Sequence, residues 1–208
     1  YRFGFSPDSH AQILHVGADL LELQLFGRKL QARLPGGGEH RALTLAAVIL
    51  ATELLGVDLA AALALDDDTV PSGRGNLMRC AGIDLIDDSY NANPASMQAA
   101  LQAFGQKPAS GRKFVLLGEM LELGEISAEA HQTIFEATAA FDGCFLVGAG
   151  FAELRGAGDA HHNDADSMLI DRLLETLQPG DSLLIKGSNR VFWATGFVQQ
   201  LAQALRGS

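Results

Sequence analysis

The chain has 208 residues, 48% of them hydrophobic, with a formal net charge of −10. This is enough for one large domain, or one domain and part of another, with a sizeable core. Lys and Arg number 15 against 25 acidic residues, which argues against a nucleic-acid partner because neutralising phosphates takes clustered cations.

The chain opens at Tyr1, without Met and directly into Phe3-Gly4-Phe5, which suggests a cropped sequence. Up to about Leu34 the apolar residues alternate in short runs, Ala11–Val16, Leu20–Phe26 and Leu30–Leu34. Gly17-Ala18-Asp19 and Gly27-Arg28 separate them, so a small antiparallel meander is expected. Residues 35–39 (Pro, three Gly, Glu) form a joint. A long helix follows from about His40 to Leu55, closed by Gly56, and a shorter one covers Asp58 to Leu65. The apolar run Ala42–Val57 is too short for a bilayer and is interrupted by Thr44 and Glu53. No signal peptide or spanning segment is evident. A meander and two helices without more strands read as a partial domain. Asp66-Asp67-Asp68 through Pro71-Ser72-Gly73 reads as a linker.

Beyond the linker, strands alternate with helices. Candidate strands are Leu77–Cys80, Ile83–Ile86, Phe114–Leu117, Cys144–Val147, a weak one near Ala160, and Ser182–Ile185. Candidate helices are Ala95–Phe104, Ala128–Ala140, Asp166–Leu177 and about Val191 to Leu205. Short, continuously apolar strands between helices argue for a parallel sheet covered on both faces, an α/β fold. Right-handed crossovers then gather the strand-end loops on one edge. Those loops are Asp87–Asn93, Gly118–Gly124, Gly148–Gly150 and Lys186–Asn189. Cys80 and Cys144 match no metal or redox spacing and fit a reducing compartment, with a single disulfide left open.

The first loop, Asp87-Asp88-Ser89-Tyr90-Asn91-Ala92-Asn93-Pro94, ends a strand in two carboxylates and enters a helix with Pro as its first residue. Such polar strand-to-helix turns are where open α/β sheets bind nucleotides; two Asx turns beside a cap would have the same composition. In the second loop, Ser127 is a candidate N-cap for the helix carrying His131. Glu119, Glu122 and His131 lack zinc-like spacing, so a solvated acidic loop with a surface His is the reading preferred to a metal set. The fourth loop, Lys186-Gly187-Ser188-Asn189-Arg190, combines a cation with a helix start and suits a carboxylate or phosphate. A capped helix beside a surface Lys is the alternative.

Four segments, in order, resemble the Mur ligases of bacterial cell-wall synthesis. They are Pro35–His40 with the Ala-rich helix, Ser72-Gly73-Arg74, the Asp87–Pro94 loop, and the pair Gly118–Gly124 with Lys186-Gly187-Ser188. Within that family the Asp87–Pro94 wording is most similar to the member that adds D-alanyl-D-alanine to UDP-MurNAc-tripeptide. The resemblance implies residues 1–70 as the C-terminal part of a central ATP-binding domain. It implies residues 71–208 as a C-terminal Rossmann-like ligase domain, with a mostly parallel sheet and helices on both faces. It also implies ATP-dependent amide ligation through an acyl phosphate, with ATP and Mg²⁺, in a cytoplasmic, monomeric enzyme of peptidoglycan synthesis.

Carried over by residue, Asp88, with Asp87 beside it, would accept hydrogen bonds from the ATP ribose. Arg74 would sit on the nucleotide phosphates, and His40 and Thr44 would lie near the adenine. Asn91 would shape the nucleotide side of the site. Tyr90, Asn93, Lys186 and Ser188 would face the incoming dipeptide, with Lys186 and Ser188 at its carboxylate. The sequence departs from the family pattern at Arg41 and Thr44 (usually asparagines), at Glu119 (usually Asp), at Asn189 (often Arg) and in the Gly36–Gly38 joint. No Gly-x-x-Gly-x-Gly-Lys-Thr/Ser phosphate loop occurs in these residues. The family's catalytic lysine and metal ligands are therefore expected upstream of Tyr1, and no catalytic or metal residue is assigned here. The chain alone is expected to bind nucleotide weakly and to catalyse nothing. The alternatives are another Mur-type or folylpolyglutamate-type ligase, or a non-catalytic nucleotide- or protein-binding module on the same fold.

Overall fold

A computed structural model describes residues 1–35, 37–65, 71–154 and 160–207. The chain divides into two compact units, Tyr1–Val70 and Pro71–Ser208. The expected linker residues 66–70 lie outside the described residues.

In the first unit, strands β2 (Ala11–Val16), β3 (Leu20–Leu25) and β4 (Arg28–Arg33) form the expected antiparallel meander. A two-residue strand, β1 (Phe3–Gly4), adds to it in parallel beside β2; two residues carry no alternation, so the sequence pattern does not reveal it. Along β3 the period of two puts Leu21, Leu23 and Leu25 on the buried face and Glu22 and Gln24 on the other. Helix α1 (Glu39–Leu54) covers that face with Ala42, Leu45, Ala46, Ile49 and Leu50, the spacing of one helical stripe. Each buried Leu or Ile there contributes about 1.5–3 kcal/mol of transfer free energy. Helix α2 is a single turn, Ala60–Leu63, shorter than expected. The Asp58 carboxylate accepts the Ala60 N–H and holds the chain in a turn before the helix starts.

The second unit is a six-stranded sheet in the order β5 (Asn76–Cys80), β6 (Ile83–Asp88), β10 (Ser182–Lys186), β7 (Lys113–Gly118), β8 (Gly143–Val147), β9 (Ala160–His162). Five strands are parallel. β5 runs antiparallel to β6, because only the two residues Ala81-Gly82 join them and a parallel connection needs a crossover of a dozen or more. This corrects the simple βα alternation at the start of the unit, while the mostly parallel α/β class holds.

Alternate strand residues sort the core onto two faces. Ile83, Leu85, Leu183, Ile185, Leu116 and Phe145 pack under α5 (Ser167–Thr176) and α6 (Phe197–Gly207). Val115, Leu117, Leu146 and Leu184 pack under α3 (Pro94–Gln106) and α4 (Ser127–Ala137). The central strand β10 is buried throughout, as a strand covered on both sides must be.

Two helix starts differ from expectation. Helix α4 is entered from a 3-10 turn, Gly124–Ile126, so Ser127 is its first helical residue rather than a side-chain cap. Helix α6 begins at Phe197, six residues later than the pattern suggests, because residues 191–196 fold as turns closed by Ala194 N–H to Asn189 O and Phe197 N–H to Phe192 O. At the edge where the parallel strands begin, buried Asp181 accepts from the Arg112 guanidinium at 2.7 Å and from the N–H groups of Arg112 and Gln178, both at 2.9 Å. Burial by itself would raise this carboxyl, but those hydrogen bonds together hold it below its ordinary range.

Candidate active site

Where the parallel strands end, β6 places two adjacent carboxylates on opposite sides, as its period of two requires. Asp87 points inward and is buried. One oxygen accepts from Gly73 N–H at 3.0 Å and from the Ser72 hydroxyl at 3.4 Å. The other accepts from the Ser89 hydroxyl and from Ser89 N–H at 3.2 Å. Asp87 thus ties segment 72–73 to the loop.

Asp88 is partly open to solvent and meets Lys186, its register partner on β10. The ammonium donates to Asp88 Oδ2 at 2.8 Å and to the Asn91 carbonyl at 3.0 Å. The side-chain exposures are 4% for Lys186 and 22% for Asp88. Two of the lysine's three donors are thereby committed to this loop.

The rest of the loop is ordered by its own side chains. The Asn91 amide oxygen accepts from Ala92 N–H at 2.9 Å. Asn93 caps α3: its oxygen accepts Ser96 N–H at 2.9 Å while the Ser96 hydroxyl accepts Asn93 N–H at 3.1 Å, a capping box with Pro94 at the first helical position. Arg74 lies over the Tyr90 ring, 4.2 Å from its centroid. Tyr90 in turn meets Trp193 edge-on at 5.2 Å.

The neighbouring Gly118–Gly124 loop is braced from three directions. Ser188 Oγ accepts Leu121 N–H at 2.9 Å, and Ser188 N–H donates to Glu119 O at 3.2 Å. His131 Nε2 accepts Met120 N–H at 2.9 Å, while Nδ1 donates to Ser127 O at 2.7 Å. The backbone partners on both nitrogens select the tautomer protonated on Nδ1. The Glu119 carboxylate accepts Gly150 N–H at 3.0 Å. Gly118 and Gly187 cross here without side chains: a Cβ on Gly187 would lie 2.8 Å from Gly118 Cα. Among the described residues no group of three or more His, Cys, Asp or Glu gathers in a form that holds a metal ion.

The family model described as "Mur ligase, glutamate ligase domain" matches residues 73–189, more than half of the chain. This chain belongs to the Mur ligase family. A UDP-N-acetylmuramoyl-tripeptide–D-alanyl-D-alanine ligase from Mycobacterium tuberculosis is 34% identical over 198 residues, covering 80% of this chain and 39% of the relative. The protein of the same name from Synechocystis is 33% identical, covering 82% and 39%. The chain thus spans about two fifths of the length of the curated relatives it matches. Among solved structures, a MurF ligase from Thermotoga maritima in complex with ADP superposes with a TM-score of 0.83 at 24% identity, covering 99% of this chain and 48% of that one. The UDP-N-acetylmuramoylalanyl-D-glutamyl-2,6-diaminopimelate–D-alanyl-D-alanyl ligase from Acinetobacter baumannii gives a TM-score of 0.76 at 26% identity, covering 97% and 45%.

In this Mur ligase chain the second unit brings Arg74, Asp88, Tyr90, Asn91 and Lys186 together at one sheet edge. The geometry shows what each sequence-predicted residue touches. Asp87 is enclosed by its own chain. Asn93 is a helix cap. Ser188 is buried and its hydroxyl holds Leu121. Lys186 is a buried partner of Asp88. His131 is internal, packed edge-on to Phe151 at 4.6 Å, and not on the surface. His40 and Thr44 are exposed on α1 in the other unit, where the Thr44 hydroxyl donates back to His40 O at 3.1 Å. Arg41, at a departure from the family pattern, donates to Pro35 O at 2.7 Å. Trp193 and the bracing role of Glu119 were not anticipated. The available signals were a lone Trp in a polar turn and a carboxylate after a strand-ending glycine.

Proposed function

We propose that this chain is part of an ATP-dependent amide ligase that adds D-alanyl-D-alanine to UDP-MurNAc-tripeptide in peptidoglycan synthesis. On this reading residues 1–70 are the end of a central ATP-binding domain and residues 71–208 the C-terminal ligase domain. The observation that carries it is the Lys186–Asp88–Asn91 contact. One buried ammonium holds a carboxylate and a loop carbonyl at the ends of two adjacent parallel strands, the edge where open α/β sheets take nucleotides. The names of the relatives support the choice of substrates, and the ADP complex of the similar fold supports ATP.

In the reaction a substrate carboxylate oxygen attacks the γ-phosphorus of ATP and ADP leaves. The dipeptide amine then attacks the acyl carbon, loses a proton and expels inorganic phosphate. The residues of this chain bind and orient. Asp88, oriented by Lys186, accepts from the ribose hydroxyls, and Arg74 offsets phosphate charge. Tyr90 and Asn91 border the path of the incoming amine. Mg²⁺ is part of the proposal, but the described residues offer it no donor set, so none is assigned to it. Buried Cys80 and Cys144, which are not joined in a disulfide, support a reducing cytoplasmic setting, and no described helix is long and apolar enough to cross a membrane.

The test uses the full-length protein with UDP-MurNAc-tripeptide, ATP and D-alanyl-D-alanine, followed by mass. The expected product is the pentapeptide with stoichiometric ADP. ATP binding with no amide product from these substrates would sink the reading in favour of a binding module.

A further inference from the structure

We infer that Trp193 is a positioning residue for Arg74, acting through Tyr90 and through the backbone of Gly73. Three segments meet at this point: the stretch after Pro71, the Asp87–Asn93 loop, and the turn that precedes α6. Arg74 carries its charge on the face of Tyr90, 4.2 Å from the ring centroid. A ring can serve as a platform for a cation only while its plane is held. Trp193 holds it, with an edge contact at 5.2 Å and an interplanar angle of 81°.

The same indole also sits against the residue before Arg74. Gly73 has φ +77°, and a Cβ there would lie 2.7 Å from Trp193 Cδ1 and 3.0 Å from Tyr90 N. Gly73 is fixed from its other sides, since its N–H donates to Asp87 at 3.0 Å and its carbonyl accepts Tyr90 N–H at 2.8 Å. Trp193 therefore restrains Arg74 from two directions, by closing the wall behind residue 73 and by orienting the ring beneath the guanidinium. It remains 42% exposed and belongs to no core cluster, so its contact with this corner stands out. The late start of α6 is what makes this possible, because residues 191–196 form a turn and not a continuous helix.

The inference rests on the reading of Arg74 as a cation for nucleotide phosphate. The test compares Arg74→Ala, Trp193→Ala, Trp193→Phe and the double variant R74A/W193A in the full-length enzyme. ATP KM, dipeptide KM, kcat and melting temperature are measured for each. Arg74→Ala and Trp193→Ala are both expected to raise ATP KM, by about three- to thirty-fold for the latter. Dipeptide KM should move less than ATP KM, Trp193→Phe should recover most of the loss, and the double variant should be no worse than Arg74→Ala alone. If Arg74→Ala raises ATP KM while Trp193→Ala does not, or if the two effects multiply, the inference about Trp193 is wrong. If Arg74→Ala leaves ATP KM unchanged, the reading of Arg74 fails first and the inference falls with it. A measurement free of folding effects uses Trp193 as the chain's one tryptophan, in full-length protein whose other tryptophans are replaced. ATP should change its emission in the parent and not in Arg74→Ala, and a parent emission indifferent to saturating ATP overturns the proposal.

Discussion

Replacing Asp88 by Ala should cost much more stability than replacing Lys186 by Met, although both break the same ion pair. The asymmetry follows from exposure: the Lys186 side chain is 4% exposed and that of Asp88 is 22%. Without Asp88 the ammonium stays in a dry site with the Asn91 carbonyl as its remaining partner, and stranding a buried charge costs about 3–5 kcal/mol. Without Lys186 the carboxylate can turn to water, and Met retains most of the apolar stem, so the cost is about 1–2 kcal/mol. For a unit of this size each kcal/mol moves the melting temperature by roughly 3–5 °C. Asp88→Ala should therefore lower it by about 10–20 °C and Lys186→Met by less than about 10 °C. Trp193 lies in the same unit, so its emission during a thermal melt of the chain follows the relevant transition. The double variant D88A/K186M should be more stable than Asp88→Ala alone, since it removes the stranded charge. Equal losses for the two single variants, or a double variant that is worse than Asp88→Ala, would refute the reasoning.

Two further outcomes can be checked independently. His131→Ala should destabilise the unit by about 2–4 kcal/mol, because it leaves Met120 N–H without its acceptor and opens a cavity beside Phe151; amide exchange should accelerate at Met120 before it does in the sheet, and uniform protection there would count against the bracing role. Asp181 sits below its ordinary carboxyl range in the fold, so its stabilising contribution is complete at neutral pH and is lost as pH falls below about 4 through the folded value; Asp181→Asn should lower neutral stability and flatten the acid limb of the denaturation midpoint against pH, and an acid limb as steep as the parent's would contradict this.

Much of the second unit is legible from local pattern. Short apolar strands, helices between them and Pro94 after a polar loop define the α/β class and place the Asp87–Pro94 loop at a strand end. The meander and α1 of the first unit are legible for the same reason: a period of two or of 3.6 is written in neighbouring residues. The pattern fails where an element is too short to show a period, as at β1, or where turn bonds interrupt one, as at residues 191–196. It also fails for the direction a polar side chain takes. His131 follows an acidic stretch and reads as surface, yet the Met120 N–H and Ser127 carbonyl give it two internal partners.

The sequence by itself determined the family, the fold class and the loops that gather at one edge of the sheet, because those properties reside in contiguous motifs. Which groups in those loops remain available to a ligand was decided only by tertiary structure. Parallel pairing inserts β10 between β6 and β7, and this brings Lys186 to Asp88 across 98 residues of chain. No local pattern encodes a contact at that separation. It depends on strand order and register, which set Lys186 opposite Asp88 and leave Asp87, one residue earlier and pointing the other way, as the anchor of the loop.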